Sequence, residues 1–322
     1  KPSILFSANR GKKNKQKYIM LAIIIGTRPE IIKMFPIIRE CEKRKLNYFI
    51  LHTNQHYSEN LDKIFFDELE LCHPKYNLRV GSGTHAEQTG TMLVKIEKIL
   101  TEEKPSIVLI QGDTNTVLAG ALVAVKLHIK IGHIEAGLRS YDREMPEEIN
   151  RILADHCSDY LFTPTEENKK ILLEEGIPKN KIFVTGNTIV DAVYQNLNMA
   201  KKKSHILKKL NLEKKKYFLI TSHRSENVDR KEKLKGILEG LKLTFQQFKL
   251  PIIFPIHPRT KKMIEKFGLK IPQGIKPIEP IGFLDFLQLE ANAKLILTDS
   301  GGIQEESCIL KVPCVTLRDN TE

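Results

Sequence analysis

The sequence predicts an α/β protein made of two Rossmann-like units whose parallel sheets face a central cleft. Three observations predict it. Short β-branched runs alternate with amphipathic helical stretches from Tyr18 onward, the alternation restarts after a lysine-rich segment, and the runs end repeatedly in polar or charged residues. Alternation of this kind is the mark of a parallel sheet built from right-handed crossovers. In such sheets ligands bind outside the carboxyl ends of the strands.

The elements follow in order. The first unit reads LAIIIG with a helix from Pro29, YFILHT with a helix from about Ser58, and SIVLIQGD with a helix from Thr116. It continues with IKIGHIEAG and a helix from Pro146, YLFTPT and a helix from Glu166, and KIFVTGN. A lysine-rich helical segment spans residues 199–216. The second unit then reads YFLITSH, PIIFPIH, IKPIEPIG, KLILTDSGG and VPCVTL. The expected division is a basic tail over 1–19, a domain over 20–186 and a second domain over 187–322, with the hinge within 187–200.

Composition narrows the function classes. The 322 residues, 41% hydrophobic, suffice for two cores. The longest apolar runs stop at strand length, short of the roughly 20 residues that span a bilayer, so a soluble protein with no membrane partner is expected. Five scattered cysteines without a CxxC pair fit a reduced cytoplasmic chain with buried thiols and no zinc site. Of the net charge of +12, half is carried by Lys1, Arg10, Lys12, Lys13, Lys15 and Lys17 in the acid-free tail, which is expected to be disordered. A nucleic-acid-binding module led by that tail is the rival class. No nucleic-acid motif or aromatic stacking run supports it.

The polar residues at the strand ends are the candidates for chemistry. In LILTDSGGIQEE, Ser300 can cap a helix, Gly301 and Gly302 allow close backbone approach, and the helix N-terminus favours an anion. The motif reads as a diphosphate seat, or as an ordinary tight turn. Glu305 or Glu306 in the first helical turn suits the dipole, and one of them can accept from ribose hydroxyls. In GTRPEIIK, Arg28 can grip phosphate where another loop would use glycine amides, with Pro29 at the first helical position and Lys33 a turn later. The bland alternative is that Arg28 and Lys33 pair with Glu30 and other surface acids.

Asp113 and Glu135 end successive strands where carboxylates are costly to bury, which suggests proton transfer or hydroxyl binding. Asp113 can instead cap the helix from Thr116. In MPEEINRILADH, Ile149, Ile152 and Leu153 are expected to face the core, and Glu147 can form a plain surface pair with Arg151. His223 and Arg224 in TSHRSEN put an imidazole and a guanidinium at the first strand end of the second unit, and His257 follows in PIHPR.

Together GTRPEIIK, GDTNT, HIEAGLRS, PEEINR, TGNTIVD, SHRSEN and TDSGGIQEE, in this order, resemble the UDP-N-acetylglucosamine 2-epimerase family from Met20 to Glu322. The resemblance implies a fold similar to GT-B glycosyltransferases closing over a UDP-sugar, with no metal or redox cofactor. It implies elimination of UDP across C1 and C2 to 2-acetamidoglucal and re-addition to give UDP-N-acetylmannosamine. Asp113, Glu135 and Glu147 resemble the catalytic carboxylates, and His223 the histidine near the leaving diphosphate. Arg28, Lys33, Ser300, Gly301, Gly302 and Glu306 resemble the UDP-binding set, with Phe286 the candidate to pack on uracil. Arg224, His56 and His257 join the substrate-binding candidates. His56, with Gln55, falls in the region where some relatives bind an activating second substrate. A homodimer is expected, and the family pattern continues past RDNTE with a further diphosphate-binding arginine. A hydrolysing relative releasing free N-acetylmannosamine, or an epimerase of a UDP-diacetamido sugar, would share these motifs.

Overall fold

The computed structural model describes residues 19–55 and 65–318. The tail, the start of the helix expected from Ser58, and His56 lie outside the described residues. Two sheets carry the fold, and every strand pair in them is parallel. The first has seven strands in the order β3-β2-β1-β4-β5-β6-β7. They are β1 (Met20–Ile25), β2 (Asn47–His52), β3 (Tyr76–Asn77), β4 (Ile107–Gln111), β5 (Lys130–Ile134), β6 (Tyr160–Thr163) and β7 (Ile182–Val184). The second has five, in the order β10-β9-β8-β11-β12. These are β8 (Phe218–Thr221), β9 (Ile252–Pro255), β10 (Ile275–Ile278), β11 (Leu295–Thr298) and β12 (Cys314–Thr316).

Each sheet is buried on both faces, as a parallel sheet with flanking helices must be. In β1, Ile23 and Ile25 pack with Met34, Phe35 and Ile38 on one face, while Ala22 and Ile24 pack with Met92, Val117 and Ala121 on the other. In β8, Phe218 and Ile220 share a cluster with Leu234 and Leu238, and Leu219 lies on the opposite face with Tyr217 and Leu289. Strand order places β1 and β4 together in the first sheet and β8 and β11 together in the second. Arg28, Asp113, His223, Arg224, Ser300, Gly301 and Gly302 follow directly on these four strands.

Several expectations are corrected. Between β2 and β4 the chain also forms the short edge strand β3 and the helix His85–Glu103, capped by Thr84 and Glu87, which the strand-helix count leaves out. The first helix begins at Arg28, with Thr27 as its N-cap, so Pro29 takes the second helical position. The residues around 187–200 form a continuous helix, Thr188–Lys203, whose Ile189, Ala192 and Val193 pack in the same cluster as Phe35 and Leu287. In the helix Pro146–Cys157 Leu153 is 42% exposed, and the buried residues are mostly polar: Glu148, Asn150, Arg151 and Asp155 beside Ala154. Cys72 and Cys308 are exposed rather than buried. Among the described residues, no helix is long and apolar enough to cross a membrane.

Candidate active site

Gly26 permits the first turn. A Cβ there would collide with the hydroxyls of Thr53 and Thr116, which are bonded to each other at 2.8 Å. Glu30 turns back under this loop and accepts from the amides of Gly26 and Thr27 and, at 2.5 Å, from the Thr114 hydroxyl. Burial pushes its pKa up to about 7 against those hydrogen bonds. Glu30 is thus occupied by backbone, and Lys33 pairs elsewhere. Its Nζ lies 2.5 Å from Glu135 Oε1 and 3.3 Å from Glu305 Oε2. Burial opposes the charge on Lys33, but the two carboxylates raise its pKa overall. The Arg28 guanidinium lies over the Phe65 ring, 5.3 Å from its centroid.

Asp113 does not cap the next helix; Thr114 holds the N-cap position of Asn115–Lys126. The Asp113 carboxylate instead meets the Arg151 guanidinium at 2.6 Å. Arg151 is therefore not the partner of a surface pair with Glu147. It is 4% exposed and also lies 3.6 Å from the buried Glu148. Glu148 accepts from the amides of Ser140 and Tyr141, which fixes the loop before the helix. Glu147, its half-exposed neighbour, lines a cleft of about 1620 Å³ that Arg224, Arg230 and Arg318 line from the other unit.

Glu135 has the left-handed φ of 69°, unusual for a residue with a long side chain and characteristic of sites that hold strain. Lys33 and the side-chain amide of Gln111 both grip its carboxylate. The sheet thus delivers Asp113 and Glu135 from adjacent strands β4 and β5, each held by a cation.

The second unit places cationic and amide groups opposite. Asp299 is fully buried at the end of β11 and accepts from the amides of His223 (3.1 and 3.0 Å) and Arg224 (3.1 Å), the Ser222 hydroxyl (3.0 Å) and Asn227 (3.1 Å). Burial works against its charge, yet the bonds from His223 and Asn227 bring its pKa down to about 2. This carboxylate shapes the SHRSEN turn. The His223 and His257 rings stand 5.6 Å apart between centroids. Burial, then the charges of His223, Arg259 and Arg28, lower the His257 pKa.

Ser300, Gly301 and Gly302 open the helix Gly301–Ile309. Ser300 is its N-cap without a side-chain cap bond, contrary to the expected capping, and a Cβ on either glycine meets nothing within 4 Å. The helix N-terminus is open to an anion. Glu306 is buried beside Glu290; burial raises the pKa of both, Glu306 to about 7. Phe286 is half-buried against the cluster of Tyr217 and Leu289.

Sequence reasoning about the site missed Arg151, Asp299, Glu148 and Gln111. A polar residue at the end of an apolar run marks Asp299 and Gln111; Arg151 and Glu148 have only the weak PEEINR signal. Among the described residues, no group of three or more His, Cys, Asp or Glu side chains is placed to hold a metal.

The family profile described as UDP-N-acetylglucosamine 2-epimerase matches residues 39–322. A UDP-N-acetylglucosamine 2-epimerase of Methanocaldococcus jannaschii is 63% identical over 308 residues, 94% of this chain and 84% of the relative. A UDP-2,3-diacetamido-2,3-dideoxy-D-glucuronate 2-epimerase of Pseudomonas aeruginosa is 43% identical, over 93% and 83%. The crystal structure of the M. jannaschii enzyme with UDP-GlcNAc and UDP superposes with a TM-score of 0.85, covering 94% of this chain and 85% of that one. The chain, with its seven ordered motifs and two facing parallel sheets, belongs to the UDP-N-acetylglucosamine 2-epimerase family.

Proposed function

We propose that this protein interconverts UDP-N-acetylglucosamine and UDP-N-acetylmannosamine by eliminating UDP across C1 and C2 and adding it back to the 2-acetamidoglucal from the other face. The observation that carries this reading is the opposition of two cation-held carboxylates, Asp113 and Glu135, to a seat for an anion in the other unit. The hydrogen at C2 is not adjacent to a carbonyl, so its removal is coupled to loss of the diphosphate. That coupling needs a base and an acid near C2 and groups that receive the departing charge.

Asp113, Glu135 and Glu147 supply the proton transfers. Arg28, Lys33, His223 and the amides at Ser300, Gly301 and Gly302 receive the diphosphate, with Arg224 and His257 at the rim. Glu306 accepts from the ribose hydroxyls and Phe286 packs near uracil. The helix Thr188–Lys203, packed against helices of both units, is the natural connector between a domain over 20–186 and one over 187–322. A homodimer located in the cytoplasm goes with this reading and is checked by sedimentation and cell fractionation.

Incubation with UDP-N-acetylglucosamine in deuterated water tests the proposal. Deuterium at C2 of sugar still linked to UDP supports it; free N-acetylmannosamine with UDP would overturn it in favour of hydrolysis. The 43% identity to the diacetamido-sugar enzyme favours a second reading, in which the sugar carries a further acetamido group at C3. Comparing kcat/KM for the two UDP-sugars decides between them.

A further inference from the structure

His133 lies inside β5, where a polar side chain is costly to bury without partners. Its ring is fully buried and both nitrogens are engaged: Nδ1 is 2.7 Å from Asp155 Oδ1, and Nε2 is 2.8 Å from the Gly112 carbonyl oxygen. A carbonyl only accepts, so Nε2 carries a proton. The other oxygen of Asp155 accepts from the Gly137 amide at 3.2 Å and lies 2.8 Å from the Arg139 guanidinium, as suits an ionised carboxylate. Oδ1 is then an acceptor too, and Nδ1 must donate. A ring that donates from both nitrogens is an imidazolium.

The surrounding charges agree. Arg139, itself clamped by Glu175 at 2.8 and 2.6 Å, shares Asp155 with His133, and Glu135 lies two residues further along the chain. Burial disfavours the His133 cation, but Asp155, the Gly112 carbonyl and Glu135 together raise its pKa. Burial likewise disfavours the Asp155 charge, and His133 and Arg139 outweigh it.

The bond to Gly112 matters because Gly112 precedes Asp113 and holds the left-handed φ of 81°. Its amide donates to the Ile134 carbonyl at 3.1 Å, and Gln111 donates to Glu135. Three hydrogen bonds therefore tie the end of β4 to the end of β5, and His133 makes the one whose donor is a cation. We infer that His133 is a doubly protonated positioning residue, fixing the Gly112–Asp113 turn against Glu135 so that the two carboxylates keep one separation across the sugar C2. The positioning role rests on the epimerase reading above, whereas the ring's charge does not.

Nitrogen-15 NMR of histidine-labelled, unmutated protein tests the charge. The His133 ring, identified by its slow solvent exchange, should show both nitrogens protonated well above the ordinary imidazole pKa of about 6.5. A neutral tautomer there would overturn the inference. In His133→Gln, which keeps one donor but no charge, kcat for C2 deuterium incorporation should fall on the order of 10²-fold. KM and UDP affinity, set largely in the other unit, should stay at the wild-type level. An unchanged kcat, or loss of UDP affinity in step with it, would sink the positioning role. Absence of C2 exchange in the wild-type protein would fault the epimerase reading instead, and the NMR result would still decide the charge.

Discussion

Lys33 and Glu305 stand 3.3 Å apart, the first on the helix that follows β1, the second in the opening turns of the helix that follows β11. The same ammonium is 2.5 Å from Glu135. One cation therefore joins a candidate catalytic carboxylate to the helix that opens at Gly301, the proposed seat for the diphosphate, in the other unit. Lys33→Ala leaves Glu135 and Glu305 facing each other uncompensated, and burial with mutual repulsion would drive one of them to hold a proton. We expect kcat to fall by about 10²-fold or more. A double-mutant cycle with Glu305→Gln should show coupling between the two sites; additive losses would mean that the ion pair has no part in catalysis.

Glu30 and Glu306 both titrate near 7 in the folded protein, and in the unfolded chain each would titrate near 4.3. A raised carboxyl pKa means that the unfolded chain releases its proton first as pH rises. Stability therefore declines between about pH 4.3 and 7 and levels off above, by up to roughly 4 kcal/mol per group. Asp299 works the other way: its pKa of about 2 lends stability above the unfolded value, lost as pH falls through 2. Thermal midpoints should consequently peak in mild acid. In Glu306→Gln the decline toward neutral pH should be shallower, and an unchanged slope would refute the assignment.

The strands were legible because a parallel strand buried on both faces is an apolar run with a polar stop, as in LAIIIG and LILTD. The polar stops also gave Arg28, Asp113, Glu135 and His223, since topology alone puts those positions at the ligand edge. What the sequence hid is pairing at long range. Glu30 looks available for Lys33 three residues away, yet the backbone amides of Gly26 and Thr27 claim it. Arg151 looks like the i+4 partner of Glu147, yet it meets Asp113, 38 positions away. The edge strand β3 is two residues long and carries no periodicity to read. The helix His85–Glu103 does carry a Thr84/Glu87 capping signature that marks its start.

Glu68 supplies a contact between the units that no local pattern reveals. Its carboxylate accepts from the amides of Phe283 at 3.0 Å and Leu284 at 2.7 Å, the free N-terminus of the helix Phe283–Asn292. The N-cap there is Gly282, which has no side chain to do this. Glu68→Ala should destabilise the protein by about 0.5–2 kcal/mol and speed amide exchange at Phe283 and Leu284. If exchange at those two amides is unaltered, the bond contributes nothing in solution.

Gly301 and Gly302 allow ligand approach and stability to be separated. Both lie in the first helical turn, neither has a positive φ, and among the described residues nothing stands within 4 Å of a Cβ built on them. Gly302→Ala should therefore fold normally and gain on the order of 0.5 kcal/mol, because alanine loses less backbone entropy in a helix. A bound diphosphate would be close to these amides, and the added methyl would then stand between the oxygens and the backbone. UDP affinity by calorimetry should fall at least tenfold, about 1.4 kcal/mol, while the thermal midpoint without ligand holds or rises. If affinity for UDP stays intact in both Gly301→Ala and Gly302→Ala, the turn is only a tight connection and the diphosphate seat lies elsewhere. A fall in the midpoint without ligand would show that the glycines serve the fold itself.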